Sequence, residues 1–151
     1  MKDRLAYVII TPHTLRKSRT GAVVSRLLAG TTGDLIAAQV IGLDHEMTER
    51  YANCFRRSKK ADEEKYRRMI REYIRRNFAP SESGRRHRAL MLVFCGDRIQ
   101  QEVEQVTGHF ISQDAGDTIR NSFGDEVRNA DGALRYFEPG VLYSGCCSLA
   151  R

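Results

Sequence analysis

"LAYVIITPHTLRKSRTGAVVSRLLAGTTGDLIAAQVIGL", residues 5–43, decides the fold. Its opening run, Leu5 to Ile10, is rich in β-branched and aromatic residues and stops at Thr11-Pro12, the pattern of a buried strand that ends at a loop. In "TGAVVSRLLAG" the residues Val23, Val24, Leu27 and Leu28 recur at helical spacing, with Thr20 placed as a cap and Gly30 as a stop. "DLIAAQVIGL" then returns to the composition of a strand. A β-α-β unit follows.

Beyond it, "EMTERYANCF" reads as a second helix. From Asp62 to Phe78, the positions Tyr66, Met69, Ile70, Tyr73, Ile74 and Phe78 form one apolar stripe, and the arginines fall mostly on the other side. "PSESG" breaks this basic helix, "ALMLVFCG" supplies a third strand, and Ile99, Val103 and Val106 mark a helix starting near Asp97. A loop-rich segment runs to about Gly132, "ALRYFEP" reads as a last strand, and the residues through Arg151 have little to pack. The order β-α-β-α-α-β-α-loop-β predicts an α+β fold: a ferredoxin-like antiparallel sheet with helices on one face. We expect one domain over residues 1–142 and a C-terminal tail over residues 143–151.

Composition supports a globular chain. Of 151 residues, 41% are hydrophobic and 29% charged with only three prolines, and a domain of this size buries enough surface to fold without a disulfide or metal. The net charge of +6 is local: between Phe55 and Arg88 thirteen Lys or Arg face five Asp or Glu, so the remainder is slightly acidic. Such a concentrated positive field draws polyanions. Cys54, Cys95, Cys146 and Cys147 show no Cys-x-x-Cys pair and no zinc-like spacing with histidine, which leaves reduced thiols as the reading. No apolar run is long enough for a signal-peptide core or a membrane span, so we expect a cytoplasmic protein without membrane contact.

Three stretches together resemble the nucleoside diphosphate kinase family over roughly Leu5 to Leu142. "YVIITPHTLRKSRTGAVVSRLL" is similar to the family's opening strand, its Lys-Pro-Asp-Gly turn and the helix after it. "ERYANCF" is similar to the short helix with an active-site tyrosine. "TGHFISQDAGDTIRNSFG" parallels a stretch ending in Thr-Ile-Arg-Gly-x-Phe, and is the most specific of the three. The resemblance implies a nucleoside di- or triphosphate as ligand, magnesium accompanying it, a homo-oligomer, and transfer of phosphate through a histidine.

Residue by residue, the resemblance assigns Arg120 to the phosphates, for which a guanidinium offers a planar fork. Tyr51 matches the active-site tyrosine, and Tyr66 falls where a base-stacking aromatic lies if about seven residues are inserted. Arg128-Asn129 is similar to the Arg-Asn pair that precedes the nucleophile. Each has a plainer reading: a surface ion pair of Arg120 with Asp117 or Asp125, core packing for the tyrosines, and a turn for Arg128-Asn129.

The departures concentrate where the chemistry lies. Thr11 replaces the turn lysine, His13 the aspartate and Thr14 the glycine. A helical arginine aligns near Val103, and a threonine contact becomes His109. The nucleophile's position falls between Asp131 and Glu138, and no histidine follows His109. The loop "DTIRNSFGDEVRNADGALRYFEPG" therefore has residues to hold phosphates and none fitted to accept one. We expect a nucleotide-binding relative with lost or greatly reduced phosphotransfer, with Arg16, Lys17 and Arg19 as substitute cations. One alternative is an active kinase with its nucleophile relocated to His109 or His13. Another is a nucleic-acid or acidic-partner surface on the arginine-rich helix, although the linear sequence shows no aromatic-basic alternation, and Glu63, Glu64 and Glu72 are spaced to pair with its arginines.

Overall fold

The computed structural model describes residues 5–109 and 116–145. Cys146 and Cys147, residues 110–115 of the Thr-Ile-Arg stretch and most of the expected tail lie outside them. The elements run β1 (Leu5–Ile10), α1 (Pro12–Arg16), α2 (Thr20–Gly30), β2 (Asp34–Gly42), α3 (His45–Cys54), α4 (Ala61–Phe78), β3 (Arg88–Cys95), α5 (Ile99–Thr107), α6 (Ile119–Phe123), β4 (Asp125–Arg128), β5 (Leu134–Glu138) and β6 (Val141–Tyr143).

The main sheet has the order β2-β3-β1-β6, antiparallel throughout, which is the expected ferredoxin-like arrangement. Period-two alternation explains its layering. Ala6, Val8 and Ile10 of β1, Leu92 and Phe94 of β3, and Val141 and Tyr143 of β6 share one face by register, and all are buried. On the opposite face Tyr7, Met91 and Val93 are half-exposed, while Ile9 and Leu142 are buried. Helices α2 and α5 pack on each other and α5 lies against β1 and β6, with Val23, Leu27, Ile99 and Val103 fully buried. Gly33 and Gly96 let β2 leave α2 close to the end of β3. A Cβ on Gly33 would stand 2.7 Å from the Cys95 carbonyl oxygen, and one on Gly96 would stand 3.0 Å from the Gly33 Cα.

Several boundaries differ from expectation for physical reasons. Thr20 is the first residue of α2 and not its cap; Arg19 holds the cap position without a side-chain hydrogen bond. Pro12 opens the short helix α1, which the sequence conceals as a loop, with the Thr11 hydroxyl accepting from the Thr14 amide. The segment "ALRYFEP" is a strand but does not join the main sheet. It pairs with β4 in a separate hairpin. The fourth strand of the sheet is Val141–Tyr143, completely buried beside β1, so the packed chain extends past residue 142.

The arginines of α4 also divide. Arg67 and Arg71 are buried on the apolar side, contrary to the expected segregation, because each serves the connector from α3. Arg67 Nη1 donates to the Arg56 carbonyl at 2.9 Å and Arg71 Nη1 to the Phe55 carbonyl at 2.8 Å. Glu63 and Glu64 complete these ties as ion partners. Both carboxyls are held below their usual range, chiefly by the Ser58 hydroxyl at Glu63 and by the Ser58 amide at Glu64. Arg75 binds Glu49 and Asn53 of α3.

Since Leu142 is fully buried on β6, Leu142→Ala should lower unfolding stability by about 2–5 kcal/mol in a urea titration. A loss below about 0.5 kcal/mol would show that this strand is no part of the core.

Candidate functional site

The turn after β1 ends in a buried polar node. Thr11 Oγ1 donates to Glu138 Oε1 at 2.9 Å, and the Gly140 amide donates to the same oxygen at 3.1 Å. Thr14 Oγ1 donates to the Gly140 carbonyl at 2.8 Å, and that carbonyl also accepts from the Thr11 amide at 3.2 Å. Gly140 takes φ of 73°, a left-handed conformation that suits glycine and turns its amide back toward Glu138. The Tyr73 hydroxyl lies beside this node, and burial first, then the Glu138 carboxyl, pushes its pKa far upward. Thr11, Thr14 and Glu138 are all sealed from solvent. Thr11, at the position where the resemblance expects a phosphate-binding residue, lies inside this sealed node.

A cleft of about 540 Å³ opens nearby in the chain, between the C-terminal end of α5 and α6. Glu104, Gly108, His109, Thr118, Arg120 and Asn121 line it. Thr118 caps α6 by accepting from the Asn121 amide at 3.3 Å, and Asn121 Nδ2 holds the Gly116 carbonyl at 2.8 Å. This fixes the backbone on either side of Arg120. Arg120 itself is 9% exposed, with its guanidinium carbon 6.0 Å from the centroid of the Phe137 ring. Opposite, His109 Nε2 lies 3.7 Å from Glu104 Oε1, which also accepts from the Tyr143 hydroxyl at 3.4 Å. The cleft thus presents a buried cation, an imidazole next to a carboxylate, and amide and hydroxyl groups suited to an anion.

The plainer reading of Arg120 as a surface arginine paired with Asp117 or Asp125 does not hold. Arg26 engages Asp117 and also reaches Ser122 at 3.1 Å, which together with its charge keeps the Asp117 carboxyl below its usual range. Asp125 gathers Lys17 at 2.7 Å, His13 Nε2 at 3.1 Å and Arg19 at 3.7 Å. Its carboxyl is also held low, first by the Lys17 hydrogen bond and further by His13 and Arg19. Of the proposed substitute cations, Lys17 and Arg19 are thereby committed to Asp125, and Arg19 also donates to the Phe123 carbonyl at 3.0 Å.

The other sequence-selected residues lie elsewhere. Tyr51 packs edge-on to Phe55 and Phe78, with centroids 5.7 and 6.2 Å away, and so belongs to the aromatic wedge between α3 and α4. Tyr66 is half-buried on α4. Arg128 and Asn129 form the exposed tip of the β4–β5 hairpin: Arg128 meets Glu126 at 3.1 Å, and the Asn129 amide donates to the Ala133 carbonyl at 2.8 Å. They follow no strand of the main sheet. The structure thus brings His109 and Arg120 into one cleft and leaves Thr11, the tyrosines and Arg128-Asn129 outside its walls.

Sequence reasoning missed Glu138, Glu104, Thr118 and Asn121. The spacing Thr118-x-x-Asn121 carries a capping signal, whereas Glu138, at the end of a strand before Pro-Gly, carries none for burial. Among the described residues no group of three or more His, Cys, Asp or Glu could hold a metal ion. No helix among them is long and apolar enough to cross a membrane.

Compared with solved structures, the chain matches a nucleoside-diphosphate kinase from Borrelia burgdorferi, a transition-state mimic with bound vanadate and ADP. The TM-score is 0.62 and the identity 16%, over 93% of this chain and 78% of that one. An NDP kinase from Pyrobaculum aerophilum matches with a TM-score of 0.62 and 14% identity, over 93% and 87%. No protein-family model and no curated protein matches the sequence. At these identities the likeness is one of fold: the chain has a nucleoside-diphosphate-kinase-like α+β architecture.

The Asp125 cluster generates a pH prediction. A carboxyl whose pKa is lower in the folded state adds stability above its unfolded value, about 3.9, and that stability disappears as pH falls through the folded value. Asp125→Asn should therefore be less stable than the parent at pH 7, by no more than about 1 kcal/mol because the group is partly exposed. The two should converge in thermal melts taken under strongly acidic conditions. A difference unchanged between the two pH values would exclude this linkage.

Proposed function

We propose that this chain is a nucleotide-binding protein of kinase-like fold whose phosphotransfer is lost or greatly reduced. Its ligand is a nucleoside di- or triphosphate held in the cleft between α5 and α6. The observation that carries this reading is the burial of Arg120 in the wall of that cleft, where a desolvated guanidinium interacts with an anion far more strongly than one in bulk water. His109, Thr118 and Asn121 add neutral or titratable partners to the same wall. No histidine occupies residues 131–138, the expected place of the nucleophile.

Magnesium fits this reading as an ion carried by the nucleotide. It takes one or two carboxylates together with phosphate oxygens, and among the described residues Glu104 is the carboxylate that lines the cleft. When bound it would supply charge neutralisation to the phosphates; the chain's own residues orient them, Arg120 by its fork and Asn121 from the first turn of α6.

One arrangement supports the alternative of an active kinase with a relocated nucleophile. His109 shares the cleft with Arg120, and its Nε2 has the Glu104 carboxylate 3.7 Å away. An imidazole with a carboxylate partner has the elements of a nucleophile. The two readings separate cleanly. Incubation with γ-labelled ATP and magnesium should leave no acid-labile label on the protein and no transfer to a nucleoside diphosphate, while calorimetry detects ATP binding. Label that disappears in His109→Asn would establish the kinase instead. In either case Arg120→Ala should weaken ATP by at least about tenfold, about 1.4 kcal/mol, with the fold verified by circular dichroism. Unchanged affinity would remove the cleft as the nucleotide site.

A homo-oligomer belongs to the same proposal. Every residue of β2 from Asp34 to Val40 is exposed, including Leu35, Ile36 and Val40, and among the described residues this strand forms an unpaired edge of the sheet. Such an edge is a template for pairing with a second copy. Ile36→Lys together with Val40→Lys should shift the sedimentation coefficient to that of a monomer; no change would place assembly elsewhere. The free Cys54 and Cys95 accord with a reducing, cytoplasmic setting.

A further inference from the structure

We infer that Ser18 is a site of regulatory phosphorylation by a protein kinase that selects basic sequences. The modified side chain draws Lys17 and Arg19 away from Asp125 and so frees the β4–β5 hairpin from the α1–α2 corner.

Ser18 stands in the corner between α1 and α2 and is exposed. Among the described residues it is the one non-glycine with a positive φ, at 55°. A glycine holds that conformation without strain, so the turn itself does not call for a serine. The backbone of the corner is pinned: the Ser18 amide donates to the Leu15 carbonyl at 3.1 Å and the Arg19 amide to the Thr14 carbonyl at 3.2 Å. The Ser18 hydroxyl, by contrast, makes no hydrogen bond to the described residues. A held backbone with an exposed, uncommitted hydroxyl presents Oγ to a second protein. Thr20, the other hydroxyl close in sequence, is half-buried in the first turn of α2.

Charge selects the enzyme. Arg16, Lys17 and Arg19 lie within two residues of Ser18, and residues 4–33 contain no aspartate or glutamate. A kinase with an acidic substrate groove is steered to such a stretch, and one that favours acidic flanks is repelled. In the transfer a bond forms between Ser18 Oγ and the γ-phosphorus of a nucleoside triphosphate. The bond from that phosphorus to the bridging oxygen breaks, the hydroxyl proton passes to the kinase's base, and the diphosphate leaves.

The consequence follows from what the flanking cations hold. Asp125, the first residue of β4, gathers Lys17 at 2.7 Å, His13 at 3.1 Å and Arg19 at 3.7 Å. Its carboxylate brings one charge, whereas a phosphoserine brings nearly two and three acceptor oxygens, and it sits between the two residues whose cations are contested. Lys17 and Asp125 are both partly exposed, so their pair is weak enough to exchange. Arg19 also holds the Phe123 carbonyl, so its departure loosens the end of α6 together with β4. The hairpin is a two-stranded sheet of its own, without the main sheet's ladder to fix its place. No residue lining the α5–α6 cleft takes part, so the inference does not rest on nucleotide binding there.

The full chain, incubated with magnesium, ATP and the catalytic subunit of a basic-directed serine kinase, should gain one acid-stable phosphoryl group that tandem mass spectrometry places on Ser18. Acid stability separates it from phosphohistidine at His109. Omitting the kinase, or replacing it with one that prefers acidic flanks, should leave the chain unlabelled. Ser18→Gly, which suits the corner's backbone, should abolish labelling, and Arg16→Gln together with Lys17→Gln should slow it by at least about tenfold. Modification should speed amide hydrogen exchange over residues 125–138 by about two- to fivefold. Asp125→Asn should do the same without modification, and phosphorylation of that variant should add nothing further. Labelling at Thr20 in place of Ser18, equal labelling by the two kinases, no labelling, or a modification that leaves exchange in the hairpin unchanged would overturn the proposal.

Discussion

A single buried carboxyl organises the region around the end of β1. Burying such a group is unfavourable unless its oxygens are hydrogen-bonded; the Oε1 of Glu138 meets that demand with the Thr11 hydroxyl and the Gly140 amide, whereas its Oε2 is buried with no hydrogen-bond partner among the described residues. Satisfying it fixes three things together. The turn into α1 is held against the β5–β6 connection, β6 is delivered beside β1 in register, and Phe137, the neighbour of Glu138 on β5, is set beneath Arg120. Gly124, which follows α6, is also drawn in, since a Cβ there would collide with the carbonyls of both Arg120 and Glu138. The wall of the α5–α6 cleft is thus anchored by an acid outside it.

Most of the main sheet was legible from periodicity, because β1 and β3 have the apolar continuity of central strands and α2, α4 and α5 have stripes at helical spacing. The misses have particular causes. Val141–Tyr143 is a three-residue strand, too short for any alternation to register, and its burial comes from β1 and α5. Leu134–Glu138 has a strand's composition, but composition cannot say which sheet a strand joins; the hairpin with β4 is decided by the tight turn at Asn129–Gly132. In the candidate site, Arg120 was found through the Thr-Ile-Arg resemblance, and His109 was reached through the same stretch. Glu138 was invisible because a glutamate at a strand end is ordinarily solvated, and only the tertiary approach of Thr11 makes it otherwise.

The basic segment teaches a related point about charge. Thirteen cations in a short stretch suggest one electrostatic surface, yet the folded chain divides them by geometry. A guanidinium can satisfy several carbonyls and a carboxylate at once, and Arg67 and Arg71 act in that way in place of a polar cap for the connector. Their neighbours a turn away stay in solvent. Counting charge cannot separate the two roles, since residues adjacent in sequence point in different directions on a helix.

The mutual approach of Gly33 and Gly96 constrains how this sequence can drift. A methyl group on Gly33 would run into the Cys95 carbonyl oxygen and the Ile99 side chain, each at 2.7 Å, and one on Gly96 would run into the Gly33 backbone at 3.0 Å. A change at either position cannot be repaired by trimming its counterpart, because both are already the smallest residue available. Descent with modification should accordingly preserve these two sites as a unit while the exposed strand between them and Leu43 diverges, so that the pair outlasts most of the surface it joins.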